Sequence, residues 1–274
     1  MVKVEVDNFD VKQIAQSGQC FRMNEIGPRR FQVVAYGKRL VLDQVGRTAI
    51  FHCTEWEYKD LWRRYFDLET NYRYYIDHID PEDTYLMAAV DSGGGIRILR
   101  QELWETLVSF VISQNNSIPR IKRSIETMCA CYGEGHGTPE GGVFFTFPGP
   151  QALAEANLEK LGLGYRDKYV KTLARNVADG VINLDTLAAM EPEEAESYLK
   201  SIYGVGAKVA ACVQLYSLHQ MGSFPVDTWM KKIIKDVYGG KFPVEMYSGF
   251  AGVIQQYIFY HARQQARAEG GAKG

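Results

Sequence analysis

The stretch Leu199-Lys-Ser-Ile-Tyr-Gly-Val-Gly-Ala-Lys208-Val-Ala-Ala-Cys212-Val213, with Phe224-Pro-Val-Asp227 downstream of it, decides how this chain folds. Tyr198, Leu199 and Ile202 recur at helical spacing and stop at Gly204; a second apolar-periodic run begins at Ala207. The spacing predicts helix, tight hairpin, helix. Glycine has no side chain, so a Gly-Val-Gly turn lets the backbone come close to another molecule. The amides opening the second helix face outward at the positive end of its dipole, which suits a phosphate. Lys208 falls in the first turn of that helix, where a partly desolvated amine is a candidate nucleophile. Asp227 reads as the N-cap of a helix that begins at Thr228 and stops at Gly239-Gly240. Taken singly, the glycines are a helix end and the aspartate a cap. Together they set an amine and a carboxylate at two adjacent helix starts, the arrangement of a nucleophile with its charge partner.

Composition bounds the rest. Lys and Arg number 31 against 33 Asp and Glu, a net charge of −2, which argues against a broadly electrostatic binder of nucleic acid. A locally basic face remains open, through Lys160, Arg166, Lys168, Lys171 and Arg175 or through Lys231, Lys232 and Lys235. The five cysteines (Cys20, Cys53, Cys129, Cys131, Cys212) form no C-x-x-C pair and no disulfide framework, and read as free thiols of a reducing compartment. Neither they nor the five scattered histidines have metal-ligand spacing. No apolar run is long enough to span a membrane and Met-Val-Lys-Val-Glu-Val-Asp lacks a signal-peptide core, so the expected location is intracellular. Nothing in the sequence asks for more than a monomer.

From Phe31 to Cys53 apolar and polar residues alternate, with breaks at Gly37-Lys38 and Gly46-Arg47. This predicts an antiparallel meander, with Val2 to Phe9 as a further strand. After Thr54 the pattern turns helical, interrupted by loops at Ser92–Gly95, Gly133–Gly142 and Phe147–Pro150, and the tail from Glu269 to Gly274 is expected to fray. The expected class is α+β: a small antiparallel sheet domain over residues 1–78, packed on an all-helical domain over residues 79–274 with the hairpin at about 195–218.

Tyr203-Gly-Val-Gly-x-Lys208-Val-Ala-x-Cys212 followed by Val226-Asp227 resembles the helix-hairpin-helix and Gly/Pro-Asp signature of the DNA base-excision glycosylases (the HhH-GPD superfamily), with the lysine of its glycosylase/lyase branch. The preceding sheet is similar to that of the 8-oxoguanine DNA glycosylase/AP lyases, and the resemblance runs from Gly18 to about Phe259. It implies excision of 8-oxoguanine from duplex DNA, preferably opposite cytosine, by base flipping, Schiff-base formation and β-elimination in base excision repair. No cofactor is implied for the chemistry.

Carried over motif by motif, the resemblance makes Lys208 the nucleophile and Asp227 the carboxylate that stabilises charge developing on the sugar. Ser17-Gly18-Gln-Cys-Phe-Arg22 is the segment that would offer the Gly18 carbonyl to the lesion. 8-Oxoguanine carries an N7–H donor where guanine has an acceptor, so one fixed acceptor separates the two. Phe259 would stack on the extruded base, with Cys212 on its other face and Gln255 on its Watson–Crick edge. In Val111-Ile-Ser-Gln-Asn115-Asn-Ser-Ile-Pro-Arg120, Asn115 would fill the vacated space and Arg120 would contact the estranged base; in Leu161-Gly-Leu-Gly-Tyr165-Arg166, Tyr165 would wedge between bases and Arg166 join Arg120. Gly204, Val205, Gly206 and Ala207 would grip a phosphate through the amides of Val205 and Ala207, with a cation on the hairpin backbone as the one metal the resemblance allows.

Three positions depart from the family pattern: Tyr203 in place of a proline, Trp229 in place of a histidine, and Tyr216 in the pocket lining. The alternatives are a related glycosylase for alkylated bases or oxidised pyrimidines, and a non-catalytic helix-hairpin-helix DNA-binding protein. Lys208 weighs against a monofunctional alkyl-base enzyme, and the absence of a four-cysteine cluster weighs against the pyrimidine branch.

Overall fold

A computed structural model describes residues 1–271. Strands β1 (Val2–Glu5), β2 (Met23–Gly27), β3 (Arg30–Ala35), β4 (Lys38–Val45) and β5 (Thr48–Phe51) form an antiparallel sheet in the order β1-β5-β4-β3-β2. Val33 lies opposite Leu40, and Leu42 opposite Phe51, so alternate residues of neighbouring strands bury one face together. That face packs on helix α1 (Val11–Gln16) and on Trp62, Tyr65 and Phe66, which lie at and after the π-helical turn that joins two short helices, α2 (Glu55–Glu57) and α3 (Arg63–Tyr65).

The helical part comprises α4 (Tyr72–Asp77), α5 (Thr84–Gly93), α6 (Leu103–Ser113), α7 (Ile118–Tyr132), α8 (Pro150–Glu155), α9 (Arg166–Ala178), α10 (Leu184–Ala188), α11 (Pro192–Ser201), α12 (Ala207–Tyr216), α13 (Thr228–Asp236) and α14 (Ala251–Gly271). α6 and α12 are buried over most of their circumference, which follows from their being apolar all round, and they pack on each other at the centre. The end of α6 and the start of α12 thereby meet, and the site is built there.

Two expectations about the helical part change. It is mostly rather than wholly helical, because β6 (Gly135–Gly137), inside the stretch Gly133–Gly142 read as a loop, pairs with β7 (Val143–Phe145) just after it. These strands are three residues long, too short for periodicity to show. Likewise α5 continues through Ser92 to Gly93, its last turn closed by Gly94 N donating to the Val90 carbonyl at 2.7 Å, and Gly93 lies against Tyr260 where a side chain would crowd. Of the tail expected to fray, residues 272–274 lie outside the described residues. Among the described residues no helix is long and apolar enough to cross a membrane.

The two cores interleave in sequence: Phe21 packs with the helices, and Leu99 with the sheet. Asp67 knots the parts together. Its carboxylate, 2% exposed, accepts from Thr70 Oγ1 (2.9 Å), Tyr72 Oη (3.0 Å) and Arg100 Nε (3.0 Å), and faces His219 Nε2 at 3.3 Å. His219 belongs to the loop that leads from α12 to Asp227, so this knot ties that loop to the N-terminal region. Burial alone would raise the Asp67 pKa, but His219 and Arg100 outweigh it and hold the group at about 2, against an ordinary value of 3.8. A depressed pKa stabilises the fold above the unfolded value, and that contribution disappears as pH falls through the folded one. Asp67 is therefore expected to contribute about 2 kcal/mol that is lost between pH 4 and pH 2. Urea unfolding of wild type and Asp67→Asn across that range checks this: the gap between them should shrink as the pH falls, and a constant gap would show that the ion pair is not its source.

Candidate active site

Ile202 ends the first helix of the hairpin, and Gly204 turns the chain with φ +87°. A Cβ on Gly204 would lie 2.5 Å from Cγ of Tyr169, so both the turn and the packing on α9 require glycine. Gln114 Nε2 donates to the Gly204 carbonyl at 2.9 Å and fastens the turn to the end of α6. Gly206 then caps α12. Of the hairpin amides, Val205 N–H is turned inward to the Ile202 carbonyl (3.0 Å), which corrects the expectation that it faces a phosphate. Gly206 and Ala207, at the helix start, have no backbone acceptor among the described residues and remain available.

Lys208 projects from the first turn of α12 to the end of α6, where its Nζ donates to Ser113 Oγ at 2.9 Å and lies 4.9 Å from the centre of the Phe110 ring. Ser113 Oγ spends its own proton on the Phe110 carbonyl at 2.8 Å. The hydroxyl can only accept from the amine, so it fixes the direction of Nζ. The Phe110 ring is stacked in turn on Tyr216 (5.3 Å, 24°). Ser113 was missed in the sequence, where it is one polar residue at a helix end with nothing local to connect it to a lysine 95 residues away.

Asp227 caps α13 as expected, accepting from Met230 N at 2.9 Å. Lys208 and Asp227 both line an outer cleft of about 860 Å³ and an inner pocket of about 40 Å³. Among the described residues they form no ion pair, so the carboxylate stays free toward the cavity.

The inner pocket gathers Gly18, Cys212, Gln255 and Phe259, the residues expected to hold a lesion. Its volume is near that of one water molecule, smaller than a nucleobase, so a base can be admitted only if the pocket opens. Gly18 adopts φ +81°, and a Cβ there would press on Phe259 at 3.2 Å. Gln19 holds this turn: its Nε2 donates to Ser17 Oγ and to the Arg97 carbonyl, both at 2.9 Å, and its Oε1 accepts from Leu99 N at 2.8 Å. Burial pushes the Cys212 thiol up to about 11, although Lys208 opposes the shift, so it is a neutral apolar wall at physiological pH. Gln255 accepts from Gln256 Nε2 at 3.0 Å, and Gln256 also donates to the Tyr216 hydroxyl at 2.7 Å, which accounts for tyrosine at that departing position.

The residues expected to meet the rest of a duplex line the outer cleft. Tyr165 is 51% exposed, Arg120 is exposed without a side-chain partner among the described residues, and Asn115 stands exposed with φ +47°. Trp229 lies on the same wall, and Tyr203 stays exposed at the hairpin, edge-on to Tyr169 at 5.0 Å. Arg166 differs from Arg120. Only 9% exposed, it donates to the carbonyls of Gln114 (2.6 Å), Asn115 (2.7 Å) and Leu163 (3.0 Å), and packs on Tyr165. In this conformation it binds the Asn115 turn to the Tyr165 turn instead of facing solvent.

Residues 1–107 match the family model described as 8-oxoguanine DNA glycosylase, N-terminal domain, and residues 108–245 match that of the HhH-GPD superfamily base excision DNA repair protein. Over 189 residues the chain is 37% identical to the N-glycosylase/DNA lyase of Saccharomyces cerevisiae, covering 64% of this chain and 50% of the yeast protein. The chain thus spans half the length of that relative. Among solved structures, MBOgg1 in complex with a low-affinity DNA ligand is 36% identical with a TM-score of 0.91, covering 96% of each chain. The Clostridium acetobutylicum 8-oxoguanine glycosylase/lyase, in complex with double-stranded DNA containing cytosine opposite 8-oxoG, is 33% identical with a TM-score of 0.89, covering 95% of this chain and 94% of that one.

Proposed function

From the premise that this chain belongs to the HhH-GPD superfamily of base excision DNA repair proteins and carries the N-terminal domain of the 8-oxoguanine DNA glycosylases, we propose that it excises 8-oxoguanine from duplex DNA and cleaves the strand as an AP lyase. The observation that carries this reading is the position of Lys208 and Asp227 at the junction of a small inner pocket, walled by Gly18, Cys212, Gln255 and Phe259, and an open, aromatic- and cation-lined cleft.

The duplex lies along the outer cleft with Tyr165 wedged into the stack, and the inner pocket opens so that the flipped base stacks on Phe259. Asn115 takes the vacated space. The Gly18 carbonyl accepts the N7–H of the lesion, a bond guanine cannot make. The nitrogen lone pair of Lys208 attacks C1′, the electron pair of the C1′–N9 bond leaves with the base, and the base takes up a proton from water. Asp227 stabilises the positive charge that builds on the sugar. Ring opening leaves a protonated Schiff base on Nζ; loss of a proton from C2′ then expels the 3′ phosphate, and water releases the lysine. Arg120 reads the estranged base, and Arg166 reaches it by giving up carbonyls of the Asn115 turn. The Gly206 and Ala207 amides grip a phosphate.

Borohydride trapping on duplexes bearing one 8-oxoguanine opposite each of the four bases tests this. The expected result is a lesion-dependent covalent complex, formed fastest opposite cytosine; absence of adduct from folded protein would overturn the reading. Ser113→Ala is expected to slow trapping about tenfold by freeing the amine from its acceptor. Single-turnover rates on the same duplex check it, and a rate equal to that of wild type would deny Ser113 the role.

A further inference from the structure

Arg263 follows Phe259 by one turn of α14, and the sequence gives it no part in the site. Its guanidinium lies 5.5 Å from the centre of the Phe259 ring. The same group donates through one terminal nitrogen to the carbonyl of Gln16 at 2.9 Å. Gln16 is the last residue of α1, immediately before the Ser17-Gly18 turn, and its carbonyl is among those a helix end leaves open. Arg267 also donates to the Gln16 side chain, at 3.2 Å. That nitrogen of Arg263 lies 3.6 Å from where a Gly18 Cβ would be. Arg263 lines the outer cleft but not the inner pocket, whereas Phe259 lines both, so the arginine touches the ring from outside the inner pocket.

The two walls of the pocket therefore come from chain segments some 240 residues apart, and one side chain holds both. We propose that Arg263 is a positioning residue of the lesion pocket, holding the Phe259 ring in register with the Gly18 turn so that, as the pocket opens, the stacking face and the glycine carbonyl meet one oxidised purine together. A guanidinium over an aromatic face attracts it electrostatically, and its bond to the Gln16 carbonyl is charge-assisted. Burial lowers the arginine's pKa, while the nearby Asp227 opposes the shift.

This proposal rests on the glycosylase reading, and its test separates the two. Single-turnover excision on an 8-oxoguanine:cytosine duplex and strand cleavage on the same duplex with an abasic site are compared for wild type, Arg263→Met and Arg263→Lys. An abasic site places no base between Phe259 and Gly18, so a pocket-positioning role weighs on the first substrate. Arg263→Met is expected to lower the ratio of excision to abasic cleavage about tenfold, and Arg263→Lys, which keeps a charge and a donor, to recover part of it. Equal losses on both substrates would make Arg263 a DNA-backbone or folding residue, and no loss on either would deny it a role; each overturns the proposal. Failure of wild type to excise 8-oxoguanine while cleaving the abasic duplex would overturn the lesion reading and this proposal with it.

Discussion

Lys208→Gln is expected to abolish the borohydride-trapped complex and to lower base excision by roughly 10³-fold or more, because it removes the amine that stands at the junction of pocket and cleft to form the Schiff base. Glutamine suits the test for a structural reason. Its amide N–H can still donate to Ser113 Oγ, which accepts from Nζ at 2.9 Å, and its stem can still cover Phe110. The end of α6 and the start of α12 stay joined, so loss of activity is not loss of fold. Gel-resolved trapping and single-turnover excision would be measured together, with thermal unfolding as the control for folding. Trapping by Lys208→Gln at the wild-type rate would assign the Schiff base to another amine.

The second large effect is expected of Asp227→Asn. Removing a carboxylate aimed at developing positive charge should slow excision by roughly 10²- to 10³-fold. Asparagine caps helices about as well as aspartate, and the bond from Met230 N at 2.9 Å can be kept. The stability cost should stay under about 1 kcal/mol, the scale of losing a charge at a helix N-terminus. Asp227→Ala loses cap and charge together, so comparing the two variants separates structure from chemistry. Rates of Asp227→Asn within a factor of two of wild type would leave the carboxylate as a cap alone.

Much of this site was legible because its parts are local. Gly204 and Gly206 end and restart helices within five residues, and Asp227 meets Met230 N within one turn. The Gly18 turn and the Gln255–Phe259 face likewise belong to short motifs. What could not be read lies in contacts between distant segments. Val205 looks like its neighbours in sequence, yet its amide is consumed by Ile202 while those of Gly206 and Ala207 stay open. Arg120 and Arg166 read as equivalent cations, but packing leaves one exposed and turns the other onto three carbonyls.

The sequence by itself determined a sheet followed by helices, the meander from Phe31 to Cys53, the hairpin and cap that present Lys208 and Asp227, and through its motifs the family. Periodicity, capping and turn chemistry act over a few residues, so they are written where they act. Only the tertiary structure decided that Ser113 receives Lys208, that Asp67 ties the His219 loop to the N-terminal region, and that Arg263 joins Phe259 to the end of α1. Those pairings arise when buried helices settle side by side to remove apolar surface from water. Which polar side chains then meet depends on the distance and rotation of whole helices, and no short stretch of chain specifies these.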